Sequence, residues 1–270
     1  MSIMTIEHSC SRDNLVDTCN QLLEPWRFKD YCPNGLQVEG NAIISRVALA
    51  VTANQAAIEA AIHWQAQALI THHGLMWKGE DGTITGFRRT RLNSILTANL
   101  NVLAYHLPLD AHAQLGNNIQ LAQQLGLLNA TPLNAEYIVW IGDIPNQYTT
   151  QDALIEHIQN QLHPSNKPLN NIIAITSQAH HTKLLKPLKR IAWCTGGGGS
   201  YFEKAIAAGI DVFLTGEANE QHVHIARESG VLLLLAGHHA TERYGIQALG
   251  KVLSHQLNIT TRYFEIESPL

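Results

Sequence analysis

The sequence predicts an α/β protein whose sheets are mostly parallel and covered by helices. Short apolar runs alternate with segments of helical period along most of the 270 residues, which is the rhythm of strand–helix–strand crossovers. Two of the runs, ALITHHG and VLLLLAGHHA, close on the dipeptides His72-His73 and His238-His239. Continuous apolar runs of this length read as strands buried on both faces.

Residues near 12 to 25 carry apolar positions at helical spacing, and the turn residues Cys32-Pro33-Asn34-Gly35 follow. Arg46 to Thr52 reads as a strand, Asn54 to Trp64 as a helix and Ala66 to His72 as a strand. Phe87 to Asn99 is the next helix, Asn101 to His106 the next strand, and a further helix starts near Asn117. After position 190 the pattern resumes: strand Arg190 to Thr195, helix Ser200 to Ala208, strand Asp211 to Thr215, helix Asn219 to Ser229 and strand Val231 to Ala236. A long helix from about His239 to His255 and a last strand from Thr260 to Ile266 complete the chain. Between Leu133 and Lys189, Asn, Gln and Pro are scattered around one helix near Gln151 to Leu162, a pattern that suits a connector, a small subdomain or an oligomer contact. The expected organisation is an N-terminal α/β lobe at 1–132, this connector at 133–189, and a C-terminal α/β lobe at 190–270 that completes the site. The two His-His strand ends resemble a duplication, but their surroundings differ too much to form a repeat.

Apolar residues make up 45% and charged residues 15%, with a formal charge of −4, so the chain lacks the positive field of a general nucleic-acid binder. A small-molecule substrate or protein partners fit better. Lys183, Lys186, Lys189 and Arg190 read as a solvated connector leading into a strand. Cys10, Cys19, Cys32 and Cys194 show no C-x-x-C spacing and read as reduced thiols. MSIMTIEHSCSRDN has no apolar signal core and VLLLLAG is too short to span a bilayer. No membrane association and a cytoplasmic location are therefore expected.

In an open α/β sheet, sites form beyond the carboxyl ends of the strands, where both dipeptides fall. Asp110 follows a third apolar run in NVLAYHLPLDAH, and Glu242 lies four residues beyond His238. Imidazoles and carboxylates without cysteine suit a nitrogen/oxygen metal site. Adjacent residues on a strand point to opposite faces, so His72 and His73 serve two ions more readily than one. His238 and Glu242 share a face of a helix that begins there. Pro108 makes HLPLD a poor helix interior, which places Asp110 on a loop. The ligand set is then His72, His73, Asp110, His238 and Glu242, with Glu242 bridging two ions. His106, His112, His239 and Glu217 are the neighbours that orient those ligands, and His106, His112 or His239 supplies a general base. His180-His181 lies in the polar connector without a carboxylate at useful spacing and is read as incidental. Three imidazoles and two carboxylates accommodate zinc, manganese, iron, cobalt or nickel.

The motifs THHGLMWKGE, HLPLDAH, CTGGGGS, TGE and GHHATERYG, in that order, resemble the Nif-three-like dinuclear metal-centre family, whose YbgI-like bacterial members are often labelled type 2 homologues of GTP cyclohydrolase I. The resemblance runs from NGLQVEG at Asn34 to the last strand. It implies that His72, His73, Asp110, His238 and Glu242 ligate two metal ions per chain, in agreement with the spacing. It also implies two interleaved lobes with the metal site between them, and a ring-shaped homohexamer. This chain is too short for the large extra domain that some relatives carry.

CTGGGGS follows a strand and opens a helix, so its amides suit either a phosphate or a tight turn; it lacks the G-K-[ST] of a P-loop. Lys78, Arg88, Arg89 and Arg91 can neutralise an anion near the metals or simply be solvated. Trp77 and Tyr244 flank the ligand motifs and suit stacking on a ring or core packing. His222 and His224 face different directions on a helix and do not share an ion. Cys194 has no base beside it in sequence and is not read as a nucleophile. The leading functional expectation is a metal-dependent hydrolase of a nucleotide-like or other small ring or phosphoester substrate. The alternatives are a metal-handling or metal-insertion protein, and an oligomeric protein-binding scaffold.

Overall fold

A computed structural model describes residues 8–133, 135–163, 171–176 and 187–269. His180-His181, Lys183 and Lys186 lie outside the described residues. The contacts divide the chain into two units, one of Met1–Leu109 with Gly245–Ile266 and one of Asp110–Tyr244 with Glu267–Leu270.

The first unit is built on a five-stranded sheet in the order Thr260–Tyr263, Arg46–Thr52, Ala68–His73, Asn101–Ala104, Gly35–Val38. The first four run parallel, and Gly35–Val38 pairs antiparallel at the edge. RVALAVT is buried at five consecutive positions, as a strand covered on both faces requires. Helix Gln55–His63 starts where the Asn54 side chain accepts from the Ala57 N–H, satisfying one of the unpaired amides of the first turn. Its inward residues Ala57, Ile58 and Ala61 pack with Ala48, Ala50, Leu69, Ile95 and Val102. Asn101 is fully buried, yet its amide accepts from Gly40 N and donates to the Asn41 and Gln67 carbonyls, which offsets its desolvation.

The second unit holds a six-stranded sheet in the order Leu128–Pro132, Trp140–Asp143, Arg190–Cys194, Val212–Thr215, Leu232–Leu235, Ile173–Ile175. Only the three central strands are parallel; the other pairings are antiparallel. This sheet is therefore mixed, where a mostly parallel one was expected. Its flanking strands come from residues 128–132, 140–143 and 173–175; the second and third overlap the apolar runs at 137–141 and 172–175, which lie among the scattered Asn, Gln and Pro of the stretch expected as a connector. The expected boundaries at 132/133 and 189/190 consequently differ from the observed division. The stretch expected as a connector contributes strands Trp140–Asp143 and Ile173–Ile175 and helix Gln151–Leu162, whose Leu154, Ile158 and Leu162 join Trp140, Trp193 and Leu214 in one core cluster.

Most other elements fall within two or three residues of their expected positions, including the helices Arg12–Leu23 and His238–Leu257. Asp110 is a correction. It lies on a short helix, Leu107–Ala111, rather than on a loop, because Pro108 occupies the first turn, where a missing N–H breaks no hydrogen bond. Among the described residues no helix is long and apolar enough to cross a membrane, and none of the four cysteines forms a disulfide.

Candidate metal centre

In the first unit, the carboxyl end of Ala68–His73 places His72, fully buried, and His73 beside His106, which follows Asn101–Ala104. One ring nitrogen of each of the three histidines lies within 4.8 Å of the others. The Nδ1 atoms are engaged elsewhere. His72 Nδ1 is 3.1 Å from the Tyr105 carbonyl, His73 Nδ1 is 3.1 Å from Thr52 Oγ1, and His106 Nδ1 is 2.9 Å from Asp30 Oδ1. A carbonyl and a carboxylate only accept, so in their neutral form His72 and His106 carry the proton on Nδ1 and have the lone pair on Nε2. An imidazole oriented through its far nitrogen is the usual form of a metal-ligating histidine, and the donor set fits a divalent transition ion. Trp77 closes this group, its ring centroid 5.7 Å from that of His73 and 5.2 Å from that of His106.

Asp30 was not foreseen. Its side chain is 3% exposed. Oδ1 accepts from His106 Nδ1 and from the Tyr31 and Cys32 amides, and Oδ2 accepts from Asn34 Nδ2 and the Leu107 amide. Burial alone would raise its pKa, but the hydrogen bonds and the facing imidazole outweigh that and hold the carboxyl at about 2, from 3.8. Because the folded value is depressed, the stabilisation, about 2 kcal/mol, is complete above pH ~4 and is lost as pH falls toward ~2. Acid unfolding of Asp30→Asn beside the parent should show it: the stability difference is expected to shrink across that window.

In the second unit, the carboxyl ends of the three parallel strands lead to Gly196, Glu217 and His238. His238 and Glu242 stand one turn apart on the helix, with Nε2 3.1 Å from Glu242 Oε2; His238 Nδ1 is 3.2 Å from Glu217 Oε1. Burial opposes a charge on His238, yet Glu242 first and then Glu217 push its pKa up to about 9. An imidazole flanked by carboxylates that hold a proton so tightly offers the donors a divalent cation would take in its place. Asp110, 7% exposed, is fixed by Asn117 Nδ2 at 2.8 Å and faces Thr195 Oγ1 at 3.4 Å.

The glycine-rich turn serves this packing. The Gly196 N–H donates to Thr241 Oγ1 and the Gly198 N–H to Thr215 Oγ1, so two of the amides considered for a phosphate are committed within the protein. A Cβ on Gly196 would lie 2.0 Å from Glu242 Oε1 and 3.0 Å from His238 Nε2. His222 caps its own helix, accepting from the Asn219 N–H. His112 Nδ1 accepts from the Gln114 and Leu115 amides, and His239, half-buried, lies about 100° round the helix from His238. Burial holds the Cys194 thiol well above its usual pKa, with Asp110 and Glu242 adding to the effect, which makes it a poor nucleophile.

Fold and donor groups together define an α/β protein with histidine and carboxylate clusters at its strand ends. The chain belongs to the Duf34/NIF3 (NGG1p interacting factor 3) family, whose profile matches residues 10–269. It is 43% identical over 258 residues to a Pseudomonas aeruginosa protein named GTP cyclohydrolase 1 type 2 homolog, covering 94% of this chain and 97% of that one. Among solved structures, the protein ybgI, described as of unknown function, superposes with a TM-score of 0.88 at 36% identity over 97% of this chain and 100% of its own. A Thermus thermophilus protein, TTHA1606, gives 0.82 at 28% identity, covering 97% and 100%.

Proposed function

We propose that the protein binds two divalent metal ions per chain through His72, His73, Asp110, His238 and Glu242, and that it hydrolyses a nucleotide-like or other small ring or phosphoester substrate. The observation that carries this reading is that His72 and His73 stand together at one strand end with their Nδ1 atoms tied back, while His238 Nε2 stands 3.1 Å from Glu242 Oε2 beyond another. The name of the Pseudomonas aeruginosa relative supports a nucleotide-like substrate. The sequence resemblance supports a ring-shaped homohexamer.

When bound, the ions would supply a water of lowered pKa and a Lewis acid for the electrophile. His72, His73, Asp110, His238 and Glu242 would hold the ions, with Glu217 fixing the tautomer of His238. His106 would accept a proton at Nε2. His112 has one nitrogen committed to a turn and His239 lies round the helix from the ligands, so both rank behind His106 in this role. Trp77 shields the imidazoles from water.

The test is a screen of nucleotides, cyclic nucleotides and phosphoesters against untagged, metal-loaded protein. Turnover that disappears together with metal in Glu242→Ala supports hydrolysis. Two bound metals without turnover on any of these substrates would overturn it in favour of metal handling or a scaffold.

The raised pKa of His238 has a direct consequence. Below about 9 the cation must displace a proton, so apparent metal affinity should rise with pH, by about tenfold per unit for a single displaced proton, and level off above that value. Titration of metal-stripped protein in weakly buffered solution should release protons near neutrality. Affinity independent of pH would contradict the assignment of His238 as a ligand.

A further inference from the structure

We propose that Asp30 is a positioning residue for His106: its carboxylate fixes the neutral imidazole in the Nδ1–H tautomer, so that Nε2 is the hydrogen-bond acceptor beside the His72–His73 pair. The use of that acceptor rests on the functional reading above, but the tautomer is a property of the protein without metal or substrate.

The two residues are 76 positions apart and meet through a convergent set of bonds. Asp30 Oδ1 receives His106 Nδ1 at 2.9 Å, Oδ2 receives the amide of the next residue, Leu107, at 3.0 Å, and Asn34 Oδ1 receives the His106 amide at 2.7 Å. The loop after Asp30 thus grips both the ring and the backbone of His106. The ring cannot turn over without setting a C–H against a buried carboxylate oxygen, and the edge contact with Tyr31 at 5.0 Å and the Trp77 ring at 5.2 Å hold its plane. Free histidine favours the proton on Nε2, which would present a donor to the other two imidazoles. Asp30 reverses that preference through a charge-assisted bond. A buried carboxylate that sets the tautomer of an acid–base histidine is a recurrent device, and converting such a carboxylate to its amide lowers kcat by about 10⁴ in serine proteases with little change in geometry.

A purely structural role is the competing explanation, since Asp30 also organises the loop from 30 to 34. Nitrogen-15 NMR of the histidine rings separates the two, using metal-stripped protein under alkaline conditions that leave ordinary histidines neutral. In the parent protein His106 is expected to show a protonated Nδ1 and an unprotonated Nε2. Asp30→Asn should shift the proton toward Nε2, whereas Asn34→Ala, which loosens the loop but keeps the carboxylate, should leave the parent pattern. A parent spectrum with the proton on Nε2 overturns the proposal, and it does so even if Asp30→Asn fails to fold. Equal shifts in the two variants, or none in Asp30→Asn, overturn it as well. If a substrate is found, Asp30→Asn should lower kcat by about 10²–10⁴ with bound metal and KM little changed.

Discussion

Alanine in place of Glu242 is expected to lower metal affinity by more than about 100-fold, a larger effect than the 10- to 100-fold cost of losing an orienting partner, while the protein still folds. Glu242 is 3% exposed and reaches His238 Nε2 at 3.1 Å across one helical turn. As the proposed bridge it serves both ions, so its loss removes a ligand from each. The helix itself loses nothing by the change, because alanine is the strongest helix former. His238 keeps Glu217 at 3.2 Å, which limits the charge left unpaired, and its pKa should fall from about 9 toward the ordinary value. Elemental analysis should find the metal gone. Thermal unfolding should remain cooperative but lose the increment that added metal gives the parent protein. Retention of full metal content would remove Glu242 from the ligand set.

Gly196→Ala is expected to destabilise the protein by about 2–5 kcal/mol, combining backbone strain with overpacking, and to abolish tight metal binding without altering any ligand. Its φ is +62°, a left-handed value that costs a residue with a Cβ. The added carbon would sit 2.0 Å from Glu242 Oε1. The backbone cannot retreat, because the Gly196 N–H is bound to Thr241 and its carbonyl accepts from Gly216 N, Glu217 N and Thr215 Oγ1. The carboxylate must move instead. Gly209 provides the control: its φ is +76°, yet a Cβ there would meet nothing within 4 Å, so Gly209→Ala should show the strain alone, about 1–2 kcal/mol, and keep its metal. Urea unfolding and metal analysis of both variants check the pair. Similar behaviour of the two would show that the contact with Glu242 is unimportant.

The strands with continuous apolar runs were legible in the sequence because burial on both faces leaves an unbroken hydrophobic signature. Arg46–Thr52 matches its expected limits, and Ala68–His73 begins two residues late and ends one residue later. The edge strands of the second sheet were not legible. Leu128–Pro132 and Ile173–Ile175 are largely exposed and pair through backbone groups that every sequence carries. Among the site residues, the i, i+4 spacing of His238 and Glu242 foretold their contact, and Glu217 was anticipated as an orienting neighbour. Asp30 escaped notice because it sits in a stretch that reads as a plain turn. The only local sign was an aspartate two residues ahead of Cys32 and three ahead of Pro33, a position from which such a side chain often bonds its own backbone. Its partner lies across 76 residues, beyond the reach of spacing within one chain. Asp110 was misplaced because a proline inside a helix interior and a proline in its first turn look alike until the start of the helix is known.

In the proposed function these histidines and carboxylates hold a pair of metal ions. The most direct test is metal content per chain, measured by elemental analysis on protein purified without a histidine tag and repeated on Glu242→Ala. About two divalent ions per chain are expected in the parent protein, and a loss of both in the variant. A parent protein that neither carries nor takes up a divalent ion would contradict it.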